Sequence, residues 1–403
     1  MLHASRPRKI HLMSVAASLA LLLAMTAVKS GAQNQPQPPA APKAASGDPI
    51  LFGVAAPFTG SGAEFGDMIW KGAVLAQKQI NAAGGINGRP LELDKGDDQG
   101  KNDQAVIVAN KYVSNPRIVL VIGHFNSTCS LAAKPIYNQH KIVQFSPGST
   151  NVAVCEGGPY TFRNLYRDDY QGEFLAEFAK SEFGAKKAAV FYDNDDYGIG
   201  LKNAFVRKAA QIGLELVGEE AYVREQTFDY STGLDKFAAR QPDVIFISGL
   251  YNEAAAIVKL ARSKGIKAQF LGGDGVDSPG FLKIAGQAAE GTIVTSPFVF
   301  TEDNEKAQQM ADAFEREFGQ APDTWAALTY DAVMMAAEAV RAVGPDREKV
   351  REWMASITTP EKGFKGVTGN TYFDANGDCL KPAYVKIVKD GEFVPYVSRK
   401  KAQ

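Results

Sequence analysis

Two short segments carry the side chains in this chain with the clearest chemical potential. Ile122-Gly123-His124-Phe125-Asn126-Ser127-Thr128 and Phe145-Ser146-Pro147-Gly148-Ser149-Thr150 each follow the end of an apolar run that reads as a buried strand. In open α/β sheets that carboxyl edge is where ligands bind. Hydroxyls beside helix N-termini, with backbone N–H groups not yet claimed by a helix, suit an anion such as a carboxylate. The same residue types also fit plain structural work, with Ser127 and Thr150 as helix caps. Chemistry alone leaves both readings open.

Other candidates fall away more readily. Gly60-Ser61-Gly62 begins like a dinucleotide fingerprint, but Phe65 stands where the third glycine belongs and Gly66 comes one place late. A tight turn fits better. Asp97-Asp98 and Asp193-Asn194-Asp195-Asp196 have carboxylates that a metal could use. Aspartates at strand ends more often cap the next helix or a turn. There is no G-x-S-x-G elbow, Walker A loop or H-E-x-x-H pair. The three cysteines and four histidines form no metal-binding pattern. Neither catalysis, a metal nor a cofactor is expected.

The elements that must position the two segments form a regular series. Apolar strands over 50–55, 91–93, 118–122 and 142–145 alternate with helices over 64–83, 104–113 and 131–139. A second series follows, with strands at 188–192, 216–222, 244–247, 270–271 and 292–295 and helices at 197–212, 230–239 and 253–264. Repeated β–α units imply parallel sheets covered by helices, and two series imply two doubly wound Rossmann-like domains. Three helices follow at 307–318, 325–343 and 347–357. Strands at 371–373, 384–388 and 393–397 come last, and Pro395 marks its strand as an edge. Elements so late in the chain suggest that it returns to complete both domains, which makes a hinge.

The 403 residues are 45% hydrophobic and 22% charged, with net charge -1, so no basic excess recruits nucleic acid. Arg6, Arg8 and Lys9, the apolar run 12–28 and Ser30-Gly31-Ala32 read as a signal peptide over 1–32. Residues 33–47, rich in Gln, Pro and Ala, read as a disordered linker.

At this point the chain resembles a known family. Gly84-Gly85-Ile86-Asn87-Gly88, Asp97-Asp98, Val121-Ile122-Gly123-His124, Ser146-Pro147-Gly148-Ser149-Thr150, Asp196-Tyr197-Gly198 and Gly272-Gly273-Asp274-Gly275 follow one another in the order and spacing of the leucine/isoleucine/valine-binding proteins of ABC importers. The resemblance runs from about Ile50 to the C-terminus. It implies a type I periplasmic binding fold with a three-crossover hinge, with lobes at 48–165 plus 296–369 and 166–295 plus 370–403. It implies a periplasmic monomer that carries an amino acid to an inner-membrane permease. Ser127 and Thr150 would hold the ligand carboxylate, with backbone groups of Gly148 and Ser149. Asp274 would face the ammonium and Tyr197 would line the cleft. Phe65 and Trp325, with Phe125 from the first segment, would surround the side chain. Because these groups lie on different lobes, ligand binding is expected to close the cleft.

The chain departs from the family in four places. Asp274 is shorter than the usual glutamate, Leu250 stands where a tyrosine is common, and Trp325 is larger than the usual phenylalanine. Asn126 and Gly100 occupy positions that hold a disulfide in some members. The ligand could therefore be a different amino acid, or an amide or aromatic acid. A sensory module and an exported α/β enzyme are the competing classes. Cys129 and Cys155 each lie just beyond a ligand-bearing strand end and are expected to pair, leaving Cys379 free.

Overall fold

The structure is a computed structural model that describes residues 45–398. The signal peptide and most of the linker read from the sequence lie outside the described residues. Among those described, no helix is long and apolar enough to cross a membrane.

The first sheet is built from β1 (Ile50–Ala56), β2 (Leu91–Asp97), β3 (Ile118–Ile122), β4 (Val143–Ser146) and β5 (Thr161–Arg163). Its order is β2-β1-β3-β4-β5, all parallel. Helices α1 (Ala63–Ala82), α2 (Asn102–Ser114) and α3 (Ser127–Gln139) connect its strands. Every residue of β1 and β3 is buried, as expected of strands covered on both faces. The order places β2 on the other side of β1 from β3, so the loops after β1 and β3 diverge and open a crevice.

The second sheet repeats this plan. α4 (Asp168–Phe183) leads into β6 (Lys187–Asp193), α5 (Asp196–Ile212), β7 (Glu215–Tyr222), α6 (Ser231–Arg240), β8 (Val244–Ser248), α7 (Tyr251–Ser263), β9 (Gln269–Gly272), α8 (Pro279–Ala285) and β10 (Ile293–Ser296). The chain then returns to the first sheet with α9 (Glu305–Phe318), α10 (Thr324–Val343) and α11 (Arg347–Ala355). A small antiparallel hairpin follows, β11 (Phe364–Gly366) with β12 (Gly369–Thr371). β13 (Tyr384–Lys389) and β14 (Glu392–Pro395) finally extend the second sheet antiparallel, giving the order β14-β13-β10-β9-β8-β6-β7. The chain thus passes between the sheets three times. Pro395 lies in the edge strand β14, where a missing N–H costs no ladder bond. Of the strand expected at 371–373, only Thr371 belongs to the hairpin, as the last residue of β12, and Phe373 forms an isolated bridge to Cys379.

The Cys129–Cys155 pairing does not form: all three cysteines are free and buried. Cys129 lies inside α3 near Asp98. Cys155 lies beside Arg163 and Asp378, with its sulfur 3.7 Å from the Gly377 carbonyl. The two thiols occupy different surroundings, although their loops are neighbours.

α10 is the most enclosed helix, with Thr324 to Val333 buried without interruption. It packs along α1 at Gly72, where a Cβ would come within 2.3 Å of the Ala326 carbonyl oxygen. Gly72→Ala should force these helices apart and destabilise the protein by about 1–3 kcal/mol, read as a lower urea midpoint with an unchanged slope.

Candidate functional site

The two segments singled out in the sequence meet at one crevice. β3 delivers Phe125, Asn126 and Ser127, and Asn126 is the N-cap residue of α3. β4 delivers Ser146 to Thr150. Three serine hydroxyls lock the two loops together by donating to the His124 carbonyl: Ser146 at 2.6 Å, Ser130 at 3.2 Å and Ser149 at 3.2 Å. The His124 ring is also held, with Nδ1 2.6 Å from Asp98 and Nε2 3.1 Å from the Tyr137 hydroxyl. Asp98 also accepts from the Gly100 N–H, while Asp97 accepts from Phe58 and Gln99. Asp195 caps α5 through the Gly198 N–H. The acidic pairs therefore tie turns and caps, as strand-end aspartates usually do.

From the other sheet, Tyr197 enters on the first turn of α5, Leu250 precedes α7, and Asp274 opens a 3-10 turn after β9. Phe125, Ser127, Gly148, Tyr197, Asp274 and Trp325 line one small cavity with Asn126, Leu250 and Gly275. Its volume is about 20 Å³, room for about one water molecule. Six of the nine residues expected at the site are thus its wall.

The remaining three stand behind it. Phe65 packs on Phe125 and Trp325, with ring centroids at 4.5 and 5.8 Å. Ser149 is committed within the protein. Its N–H donates to Ser146, its hydroxyl donates to the Phe125 carbonyl, and its own carbonyl accepts from Arg163. Thr150 is buried beside Asp168, and its hydroxyl completes no hydrogen bond of good geometry. At Gly148 a Cβ would come within 2.3 Å of the Phe125 ring, so only glycine lets this loop approach the aromatic wall.

The electrostatics are lopsided. Asp274 Oδ1 accepts from the Tyr197 hydroxyl at 2.7 Å, while Oδ2 has no partner. Asp168, at the start of α4, is fully buried and also has an unpartnered Oδ2. Gln171 links the two acids, accepting from the Asp274 N–H at 2.8 Å and lying 3.5 Å from Asp168. No basic side chain lines the cavity. Burial pushes the Asp274 carboxyl up to about 6, and burial with the Asp274 charge nearby pushes Asp168 up as well. Asp168 and its helix were missed in the sequence reading. The available signals were Gly184 as a left-handed stop and the acidic first turn Asp168-Asp169.

The opposite end of the cavity favours negative charge. Ser127 Oγ accepts from the backbone of Thr150 and Asn151, at 3.3 and 3.2 Å, which leaves its proton for another acceptor. It sits at the N-terminus of α3, where free N–H groups and the helix dipole attract anions. Around these poles lie Phe125, Trp325 and Leu250, backed by Phe65 and Tyr251. The lining therefore carries groups suited to a carboxylate, an ammonium and an apolar side chain, around a space that must widen to admit all three.

The two lobes touch across the cleft. The Ser61 N–H donates to Glu225, and the Ser61 carbonyl accepts from Tyr251 Oη and Asn252 Nδ2 at 2.8 and 2.7 Å. Asn151 Nδ2 donates to the Asp196 carbonyl at 2.6 Å. Tyr251 thus serves the contact between lobes, while Leu250 faces the cavity where the family more often has a tyrosine.

The periplasmic binding protein family model matches residues 49–392. The chain belongs to this family. A Leu/Ile/Val-binding protein homologue of Brucella suis is 36% identical over 342 residues, covering 83% of this chain and 89% of that protein. A leucine-, isoleucine-, valine-, threonine- and alanine-binding protein of Pseudomonas aeruginosa is 31% identical, covering 82% and 87%. The branched-chain amino acid transporter substrate-binding protein of Streptococcus pneumoniae, crystallised with isoleucine, superimposes with a TM-score of 0.81 at 30% identity, covering 86% and 98%. The type I periplasmic binding fold expected from the sequence is thereby established.

Asp274 makes a pH-dependent prediction for the unliganded binding protein. Its folded carboxyl keeps its proton to about pH 6, above the ordinary aspartate range, so the folded state binds more protons between about pH 4 and 6. Its contribution to stability therefore falls as pH rises through that window. Asp274→Asn should match the parent near pH 3 and exceed it at pH 7.5 by about 2–3 kcal/mol in denaturant melts without ligand.

Proposed function

We propose that this protein is the substrate-binding component of an ABC importer and that it captures a branched-chain or other apolar α-amino acid in the cleft between its lobes. The observation that carries the reading is the pairing of opposite demands in one cavity. The buried Asp274 carboxyl, with an unpartnered oxygen and the buried Asp168 behind it, stands on one side, and Ser127 at a helix N-terminus stands on the other. Only a small zwitterion answers both, because an unpaired buried charge is costly. The aromatic and leucine walls favour an apolar side chain. The acids argue against a plain aromatic acid, which would bring a second negative charge and no cation. The amino-acid names of relatives at 30% identity or more support the same choice.

In this reading Ser127 and the Gly148 loop hold the carboxylate. Asp274 and Asp168 take the ammonium with the Thr150 hydroxyl. Tyr197 orients Asp274, and Phe125, Phe65 and Trp325 enclose the side chain. The protein acts by binding and release, without chemistry. Export by residues 1–32 would place it in the periplasm, where as a monomer it hands its ligand to a permease. The lobes are 48–165 plus 296–369 and 166–295 plus 370–403, and ligand favours the closed state by touching both.

The test is a thermal-shift screen of amino acids, amides and aromatic acids. A true ligand at 100 times its Kd adds about 2.7 kcal/mol of stability. Calorimetry then pairs leucine with its deaminated analogue on the parent and on Asp274→Asn. Loss of the ammonium's partner should cost about 2–5 kcal/mol, weakening leucine at least about 30-fold. The analogue should change little. Equal losses for both ligands would show that Asp274 only shapes its turn, and stabilisation by aromatic acids alone would overturn the amino-acid reading.

A further inference from the structure

The turn that carries Asp274 has a second anchor three residues on. Asp277 is 4% exposed, and its Oδ2 accepts from three donors. These are Ser296 Oγ at 2.7 Å, Thr324 Oγ1 at 2.9 Å and Lys386 Nζ at 2.8 Å. Lys386 Nζ also donates to Thr324 Oγ1 at 2.8 Å. Ser296 ends β10 and Lys386 lies in β13, both in the second sheet. Thr324 begins α10, which packs on the first sheet. The next residue of α10 is Trp325, and its indole Nε1 donates to the Asp277 main-chain oxygen at 2.9 Å. One short turn therefore presents the acid that faces the cavity and also grips the largest side chain in the cavity wall.

We infer that Asp277 and Lys386 are positioning residues that set how long a ligand side chain the cleft accepts, by fixing the distance between Asp274 and the Trp325 ring. Neither residue lines the cavity. Lys386 is held by an aspartate and a threonine at the point where the chain leaves the second sheet, so it clamps the turn from behind. With the turn fixed at Asp277, the indole is held at its edge by a directional hydrogen bond and at its base by the α10 N-cap, Asp323. A ligand head group docked at Asp274 then meets a wall at a set depth. A short side chain stops before the wall, and a long one reads it. The difference of one or a few methylenes in such a pocket is worth roughly 10–200-fold in affinity, which is the scale on which a small shift of the ring would register.

This inference rests on the amino-acid reading above, and the experiment separates the two. Alanine and leucine are titrated by calorimetry into the parent, Lys386→Met, Trp325→Phe and the variant carrying both changes. Failure of both amino acids to bind the parent would sink the functional reading and this inference with it, before any variant is compared. If the parent binds them, Lys386→Met should change the leucine-to-alanine ratio of Kd by at least about fivefold, roughly 1 kcal/mol. In the Trp325→Phe background, where the indole hydrogen bond is already gone, the same Lys386→Met change should move the ratio by less than about twofold, the signature of one residue acting through the other. An unchanged ratio in the parent background, or an equal change in both backgrounds, overturns the inference. If Lys386→Met does not fold because the Asp277 charge is stranded, the charge-free pair Asp277→Asn with Lys386→Met replaces it in the same cycle. Tryptophan emission supplies an independent readout, since only a change at the indole would shift it in Lys386→Met and leave the Trp325→Phe spectrum unmoved.

Discussion

A carboxyl group removed from water, with no basic side chain beside it, governs this molecule. Asp274 is fully buried; the neutral Tyr197 hydroxyl donates to its carboxyl, and its backbone N–H donates to the Gln171 side-chain oxygen. Those bonds orient the acid without neutralising it, so its charge stays expensive until a cation arrives. Asp168 adds a second acid to the same place instead of a lysine or arginine. Facing them across the cleft is the α3 N-terminus, which favours the opposite charge. Each sheet thus holds half of an electrostatic demand, and neither half is met by the other. The lobes do pair charges at the cleft mouth, Lys101 with Glu225 at 3.9 Å, but no such partner reaches Asp274.

Precision at the site comes from bracing behind the cavity wall. The His124 carbonyl gathers hydroxyls from Ser130, Ser146 and Ser149, which joins the loops after β3 and β4 into one rigid ledge. Arg163, itself fully buried, donates to the Ser149 carbonyl and pairs with Asp378 on the third passage between the lobes. The ledge around Ser127 and Gly148 is therefore tied to the hinge, and the Trp325 wall is tied to it through Asp277. Such support lets a few first-contact groups hold their geometry while the lobes move.

Much of this was legible in the sequence because period and punctuation agreed. Both fully buried central strands, the glycine-bounded helices and the proline at an edge follow from local rules, and the ligand loops could be placed because they end buried strands. The resemblance supplied what local rules could not, namely which residues of two separate series meet. The failures have physical causes. β5 is three residues long, too short for any period to show, and α4 begins at Arg167, which gives no side-chain cap. Asp168 was therefore unread, although its burial makes it a partner of Asp274. Leu250 and Tyr251 differ by one position, and only the start of α7 decides that the leucine faces the cavity while the tyrosine reaches Ser61. The cysteines misled because neighbouring loops need not present neighbouring side chains.

The three passages between sheets also dictate an order of assembly. α1 is among the first elements made, yet the helix that covers it, α10, comes some 250 positions later; Tyr330 on α10 donates to Gln79 on α1 across a gap of 251 residues. At ribosomal speeds of about 5–20 residues per second, the apolar face of α1 waits roughly tens of seconds for its cover. The second sheet is closed later still, by β13 and β14 near the C-terminus. The first lobe can be completed only once α10 has been made, and the second only once β13 and β14 have. The segment that brings the two sheets together is thus also the last to be made, so completing the cleft is a late event in synthesis as well as in sequence.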